Sequence, residues 1–219
     1  MSIAAMILGQ SGTGKSTSLR NLDPANTLLI QTVKKPLPFK NSAWQYRSNE
    51  NPSGNVFVSS DSTMIVKLME KTQRQIIVVD DFQYLIAQEF MNRSHEKGYE
   101  KFTDMARHYY DVLMAASTQS DGKRVYLLSH TEQSESGQVK AKTIGKMLDE
   151  KITVEGLLTI VMRTSVINGN YLFNTCNNGS DTVKTPMGMF DDEQIPNDLA
   201  EVDAAICGYY DIISPSKAV

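Results

Sequence analysis

The first residues whose types and spacing indicate chemistry form a glycine-rich stretch close to the start of the chain. It follows an apolar run over residues 3–8 and consists of Gly9, Gln10, Ser11, Gly12, Thr13, Gly14, Lys15 and Ser16. This stretch matches the pattern G-x-x-x-x-G-K-[ST], in which glycines let successive backbone N–H groups converge on phosphate oxygens. The sequence therefore predicts a phosphate-binding loop that follows a strand and leads into a helix.

The polar residues at the end of this stretch have predicted tasks on a nucleotide. Lys15 is expected to reach the β- and γ-phosphates, and the Ser16 hydroxyl is expected to ligate the magnesium ion that screens their charge. Thr17 continues the predicted binding site into a helix over residues 16–21, whose first N–H groups add the positive end of the helix dipole. The alternative is a turn rich in glycine and serine that contains a lysine by chance.

A second chemical signal lies in residues 75–81, where apolar residues are followed by Asp80 and Asp81. Parallel sheets place ligand groups at the carboxyl ends of their strands, so this run predicts a central strand with its acids beside the phosphate loop. A carboxylate in that place holds magnesium directly or through water, and we assign this task to Asp80. Asp81 is expected to orient or deprotonate the attacking water. The open alternative is that Asp81 caps a helix beginning at Phe82.

The strand predicted over residues 124–130 also ends in polar residues, Ser129 and His130. At the carboxyl edge of a parallel sheet, such strand ends approach the γ-phosphate and sense its loss. We therefore expect Ser129 to contact the nucleotide and His130 to take part in the reaction. The alternative is that both residues make hydrogen bonds that only fix the loop.

Composition places the chain among ordinary globular proteins. Its 219 residues are 41% hydrophobic and 21% charged, which fits one α/β domain over residues 1–219. The formal net charge of −3 gives no overall basic field, so any contact with nucleic acid requires a local patch. The two cysteines are far apart and suggest neither a zinc site nor a disulfide framework. We see no leader or membrane-spanning run, and therefore expect a cytoplasmic location and no membrane partner.

The remaining apolar runs predict a mostly parallel sheet flanked by helices. Further strands are expected at residues 27–32, 56–58 and 157–164, and helices at residues 61–72, 82–92, 99–117 and 197–209. Asn168 and Gly169 lie between two apolar runs and are a strong hairpin signal. The sheet is therefore expected to end in antiparallel strands.

Three segments lack a regular pattern. Residues 33–55 are expected to form a long irregular loop whose basic and aromatic residues either hold single-stranded nucleic acid or simply pin the loop to the domain. Residues 131–143 have no apolar anchors and are expected to be mobile, with lysines that either meet nucleic-acid phosphates or are merely solvated. Residues 213–219 are expected to be a polar tail.

With these motifs in place, the chain resembles RecA-like phage ATP-binding proteins, a group of P-loop NTPases with members in single-strand annealing and recombination. The resemblance rests on residues 9–16, on the run that ends in Asp80 and Asp81, on the strand end at Ser129 and His130, and on the hairpin region that ends in residues 183–186. It implies an ATPase that uses ATP and Mg²⁺ and acts in phage DNA recombination or single-strand annealing. It also implies the host cytoplasm as the location.

The resemblance further implies assembly into a filament or ring on single-stranded DNA. In such assemblies a basic residue beyond the last strands of one subunit reaches the ATP of the next, and Lys184 occupies a position similar to that one. A cation supplied across an interface can raise the rate of hydrolysis by orders of magnitude. The phosphate site is then one half of a shared site.

One departure from the group concerns the catalytic glutamate, which RecA-like enzymes carry at the end of the strand after the first helix. Residues 31–33 of this chain contain no acid. Either Asp81 replaces the glutamate, or hydrolysis is slow and ATP acts mainly as an assembly ligand. Two other functions remain open: a small nucleotide kinase, and a nucleotide switch that binds protein partners in helicase loading, packaging or defence.

Overall fold

The protein is described here from a computed structural model, which describes residues 2–213. The predicted tail over residues 213–219 therefore lies, except for its first residue, outside the described residues. Apolar runs of the sequence form most of the strands, since β-branched and aromatic residues favour a pleated, half-buried surface. In chain order the strands are β1 (Ile3–Gly9), β2 (Thr27–Gln31), β3 (Val56–Val58), β4 (Ile76–Asp80), β5 (Arg124–Gln133), β6 (Val139–Ala141), β7 (Ile160–Ile167), β8 (Asn170–Asn174) and β9 (Gln194–Pro196).

These strands form one sheet in the order β3-β2-β4-β5-β1-β7-β8-β9, with β6 paired to the end of β5. The strands from β3 to β7 along this order are parallel, and β8 and β9 are antiparallel to their neighbours. The prediction of a mostly parallel sheet that ends in antiparallel strands is confirmed. The phosphate-loop strand β1 lies inside the sheet, between β5 and β7.

Helices cover both faces of this sheet because successive strand residues point to opposite sides. The helices are α1 (Ser62–Lys71), α2 (Tyr84–Asn92), α3 (Glu100–Ser117) and α4 (Leu199–Tyr209). On one face, Met6 and Leu8 of β1 belong to a core shared with α1, α2 and α3. On the other face, Ile7 belongs to a core shared with α4 and the buried Trp44. Both faces are therefore apolar, as a parallel sheet requires.

The helix predicted after the phosphate loop is a short 3₁₀ helix over Ser16–Asn21 and not an α-helix. Its serines explain this difference. The Ser18 hydroxyl donates to the Lys15 carbonyl at 2.6 Å, so a side chain occupies a carbonyl that would help to extend an α-helix. The proline at position 24 stops any extension. The helix has the predicted bounds, and the contribution of its dipole to the phosphate site stays a prediction.

Residues 131–143, predicted to be irregular and mobile, form a β-ribbon with the end of β5 instead. Strand β5 continues to Gln133 and pairs with β6, with Thr131 opposite Ala141. The chain reverses at Gly137, whose positive φ of 86° suits glycine, and the Gly137 N–H donates to the Ser134 carbonyl at 2.9 Å. Backbone pairing orders these residues although they carry few apolar side chains.

The hairpin predicted at Asn168 and Gly169 joins β7 to β8. Both turn residues have positive φ, 51° and 81°, as a two-residue hairpin turn requires. Strand β7 begins at Ile160, three residues later than predicted, because residues 154–157 form a 3₁₀ helix. The short strand β9 was not predicted. Helix α4 begins at Leu199 because the Asp198 carboxylate accepts from the Ala200 N–H at 3.0 Å and caps it.

The long segment between β2 and β3, residues 32–55, contains no helix or strand. Trp44 is buried in the core beneath it and meets the ring of Phe39 edge to face at 6.4 Å. The aromatic residues of this segment therefore hold it against the domain, as the second of the two interpretations expected.

Candidate nucleotide-binding site

The phosphate loop and the ends of β4 and β5 enclose one open cleft of about 490 Å³. It lies at the carboxyl edge of the parallel strands, where α/β sheets place their ligands. The described residues that line it are Ser11, Gly12, Gly14, Lys15, Ser16, Thr17, Val33, Lys35, Pro36, Pro38, Asp81, Tyr84, His130 and Tyr171. The structure thus brings together most of the predicted phosphate-loop residues with Asp81 and His130.

Two glycines of the loop are required by close packing. A Cβ on Gly9 would lie 1.9 Å from Oγ1 of Thr164, the β7 residue whose hydroxyl also meets that of Thr13 at 2.6 Å. Gly14 has a φ of 97°, and a Cβ there would lie 2.9 Å from the ring of Tyr171. The loop therefore packs closely against β7 at Gly9 and against β8 at Gly14, and only glycine leaves room for these contacts.

Lys15 is folded back onto the loop. Its ammonium donates to the carbonyls of Gly9 and Gln10 at 2.8 Å and 2.9 Å, and the residue is only 6% exposed. Burial lowers the pKa of Lys15 to about 8, although the charges of Asp81 and Asp80 raise it. A buried ammonium forms stronger hydrogen bonds with an anion than with neutral carbonyls. The site is therefore suited to a phosphate group.

Ser16, in the 3₁₀ helix, and Asp80, at the end of β4, meet beneath the loop although β5 separates β1 from β4 in the sheet. The Ser16 hydroxyl donates to both carboxylate oxygens of Asp80, at 2.9 Å and 3.0 Å. Burial, together with the charge of the neighbouring Asp81, raises the pKa of Asp80 to about 6. A hydroxyl and a carboxylate side by side are the oxygen ligands that Mg²⁺ prefers, so these residues fit the predicted metal.

Asp81 does not cap a helix, so that alternative is wrong: α2 begins at Tyr84, and no side chain caps its start. Asp81 has a positive φ of 59°, and its carboxylate forms an ion pair with Lys35 and lies 3.4 Å from Nε2 of His130. Burial alone would raise the pKa of Asp81, but the hydrogen bonds from His130 and Lys35 hold it below its usual value. A weaker base orients a water better than it deprotonates one.

Ser129 and His130 of β5, both predicted to reach the nucleotide, face opposite sides of the sheet. His130 lines the cleft and meets the ring of Tyr84 edge to face at 5.6 Å. Ser129 is fully buried and does not line the cleft, so its predicted contact with the nucleotide finds no support in the geometry. Neighbouring strand residues face opposite sides of a sheet, and this is the physical reason why only one of the two predicted residues reaches the cleft.

Lys184 lies away from the cleft of its own subunit. Its backbone exchanges hydrogen bonds of 2.8 Å and 2.9 Å with Val161, near the start of β7, whereas the cleft lies at the carboxyl ends of the strands.

At the end of β2, Gln31 pairs with Asp80 in the sheet, and its amide is held by the Tyr46 hydroxyl at 2.8 Å and the Lys35 carbonyl at 3.1 Å. Gln31 therefore braces the loop that follows it.

Sequence reasoning missed several residues that line the cleft, among them Lys35, Tyr84 and Tyr171. Lys35 follows a strand of the parallel sheet by only a few residues, and that position was a usable signal. Tyr171 reaches the loop only through the pairing of β7 and β8, so its place depends on tertiary structure.

No protein-family model matches the chain, and no curated protein matches it. Among solved structures, the chain is similar to the ATPase DotB of Legionella pneumophila, with a TM-score of 0.34 and 12% sequence identity. The match covers 80% of this chain and 46% of the DotB chain, so this chain spans less than half the length of DotB. Within residues 2–213, no helix is long and apolar enough to cross a membrane. The sheet, the phosphate loop and the Ser16–Asp80 pair are consistent with the fold of a P-loop NTPase.

Proposed function

We propose that the protein is a RecA-like ATPase that binds ATP with Mg²⁺ and assembles as an oligomer on single-stranded DNA in phage recombination or single-strand annealing. The observation that carries the nucleotide part is the pair of hydrogen bonds from the Ser16 hydroxyl to Asp80 directly beneath the phosphate loop. The sheet order adds support, because β5 lies between β1 and β4 and so brings His130 between the phosphate loop and the acids at the end of β4.

In the proposed reaction, the phosphate loop and Lys15 hold the phosphates, and Ser16 and Asp80 hold the magnesium ion, which screens their charge when bound. Asp81 orients a water molecule toward the γ-phosphorus. The water oxygen forms a bond to the γ-phosphorus while the bond between the γ-phosphorus and the β,γ-bridging oxygen breaks. ADP, inorganic phosphate and one proton are released. His130 positions Asp81, which it faces at 3.4 Å.

The assembly part of the proposal is supported by what a single subunit lacks. No acid stands at the end of β2, where Gln31 is occupied by Tyr46 and the Lys35 carbonyl. Lys184 does not line the cleft of its own subunit, so it would meet a nucleotide only in the site of a neighbour. Hydrolysis by a lone subunit is therefore expected to be slow, and assembly on DNA is expected to raise it.

A steady-state ATPase assay with and without single-stranded DNA tests this function. We expect the rate to rise severalfold with DNA and to vanish in Lys15→Ala. Lys184→Ala is expected to lose the stimulation but to keep ATP binding. Phosphate transfer to a small acceptor, with no stimulation by any DNA, would instead indicate a kinase.

The kinase alternative is weakened by the charges of the cleft. A kinase must also stabilise a phosphoryl acceptor, for which arginines are well suited. Among the described residues that line the cleft there is no arginine. The segment over residues 131–143 also contains no arginine, and it pairs as a ribbon with the end of β5.

The nucleotide switch remains a second candidate because of one connection. His130 lines the cleft, and the ribbon of β5 and β6 begins at the next residue. The His130 carbonyl also accepts from the Lys142 N–H at 2.9 Å, just after β6. A change at the γ-phosphate would thus reach a surface ribbon directly. Nucleotide-dependent capture of a protein without DNA, together with no DNA-stimulated hydrolysis, would favour this candidate.

A further inference from the structure

Lys35 is a second lysine in the nucleotide cleft, and it comes from the loop after β2 and not from the phosphate loop. Lys15, Lys35 and His130 are the described cleft residues that can carry positive charge. Lys35 lies close enough to Lys15 for its charge to help lower the pKa of Lys15. Two ammonium groups therefore converge where the predicted phosphates would lie.

The backbone of Lys35 is held in place by its neighbours. Its carbonyl accepts from Nε2 of Gln31 at 3.1 Å and from the Tyr46 hydroxyl at 3.0 Å. The following residue, Pro36, restricts Lys35 to extended backbone conformations. The backbone of Lys35 is therefore already ordered before a ligand binds. This lowers the entropic cost of any contact that Lys35 makes in the cleft.

The ion pair between Lys35 and Asp81 joins one partly exposed and one buried partner. The Lys35 side chain is 40% exposed, whereas that of Asp81 is 5% exposed and also faces His130. A γ-phosphate carries more negative charge than a carboxylate and offers several oxygen acceptors. When a triphosphate enters the cleft, the exposed lysine is the partner that can move.

We propose that Lys35 leaves Asp81 for the γ-phosphate of bound ATP, supplying a phosphate-binding cation within the same subunit and freeing Asp81 to orient the attacking water. This inference rests on the proposed ATPase function. ADP lacks the γ-phosphate, so with ADP the lysine stays on Asp81. Lys35 therefore makes the site discriminate between ATP and ADP.

Binding of the non-hydrolysable analogue AMP-PNP and of ADP, each with Mg²⁺, tests the proposal in Lys35→Ala. We expect the affinity for AMP-PNP to fall about tenfold or more, the loss of one charge-assisted hydrogen bond, while the affinity for ADP stays unchanged. Lys35→Arg should recover most of the AMP-PNP affinity because it keeps the charge. Lys34→Ala is the matched control: Lys34 lies over the Tyr46 ring at 5.4 Å and does not line the cleft.

Hydrolysis without DNA gives a second readout. We expect the turnover of Lys35→Ala to fall about a hundredfold, the usual loss when one electrostatic contact to the transition state is removed. The selective loss of AMP-PNP affinity should persist at protein dilutions where the chain is monomeric, because Lys35 acts within its own subunit. Lys184→Ala should show no such loss.

Three outcomes would overturn the inference. Equal losses for AMP-PNP and ADP would mean that Lys35 only shapes the loop. Unchanged affinities and turnover would mean that it only neutralises Asp81. A loss that vanishes on dilution would mean that it acts across an interface. In all three the wild type still binds and hydrolyses ATP, whereas a wild type that binds neither nucleotide would refute the proposed function itself.

Discussion

Replacing Lys15 by methionine should abolish nucleotide binding and yet stabilise the nucleotide-free protein. Burial lowers the pKa of Lys15 from 10.5 to about 8, so the folded state holds its proton more weakly than the unfolded state does. This difference corresponds to about 3 kcal/mol, an upper limit on the cost of the buried charge at pH 7. Methionine replaces the lysine by a flexible, unbranched side chain that lacks only the terminal ammonium in length and carries no charge.

The pH dependence identifies the cause of this effect. Below pH 8 both states are protonated and the full cost is present. Between pH 8 and 10.5 the unfolded state binds more protons than the folded state, so wild-type stability rises relative to the variant. Urea unfolding of both proteins at pH 7, 8.5 and 9.5 should show a shrinking difference. A constant difference, or a variant less stable at pH 7, would refute the reasoning.

Two further substitutions test the fold, one away from the cleft and one in the phosphate loop. Asp203→Ala should lower the free energy of unfolding by about 3–5 kcal/mol, because it leaves the fully buried Arg124 without the carboxylate that it contacts at 2.8 Å and 2.9 Å. Urea unfolding measures this loss, and a double change to Asp203→Leu and Arg124→Met should recover much of it. Gly9→Ala should impair ATP binding in titration calorimetry and lower the melting temperature, because its Cβ would lie 1.9 Å from Oγ1 of Thr164. Wild-type affinity in that variant would show that the loop is not seated on β7.

The parts of the site that sequence reasoning found are those written in adjacent residues. The phosphate loop needs glycines and a lysine at fixed spacing, and the metal-binding acid follows an apolar strand. Both patterns are local, so the sequence indicated Ser16 and Asp80. In the structure Oγ of Ser16 lies 2.9 Å from Oδ1 of Asp80. The hairpin turn at residues 168–169 was local for the same reason.

The parts that sequence reasoning missed depend on contacts between distant segments. Lys35 and Asp81 are 46 positions apart, and only the parallel pairing of β2 with β4 brings their loops together. The ribbon at residues 131–141 forms through backbone hydrogen bonds, which leave no apolar pattern to detect. The 3₁₀ helix after Lys15 depends on a serine side chain that competes for a backbone carbonyl.

The proposed ATPase depends on Ser16 and Asp80 to hold a magnesium ion against the phosphates of ATP. Titration calorimetry of wild type and Asp80→Asn with AMP-PNP, each with and without Mg²⁺, tests it most directly. We predict that wild type binds one nucleotide per chain far more tightly with Mg²⁺, and that Asp80→Asn binds it equally weakly under both conditions. A wild type whose affinity is the same with and without Mg²⁺, or an Asp80→Asn protein that keeps the full magnesium effect, would contradict this account.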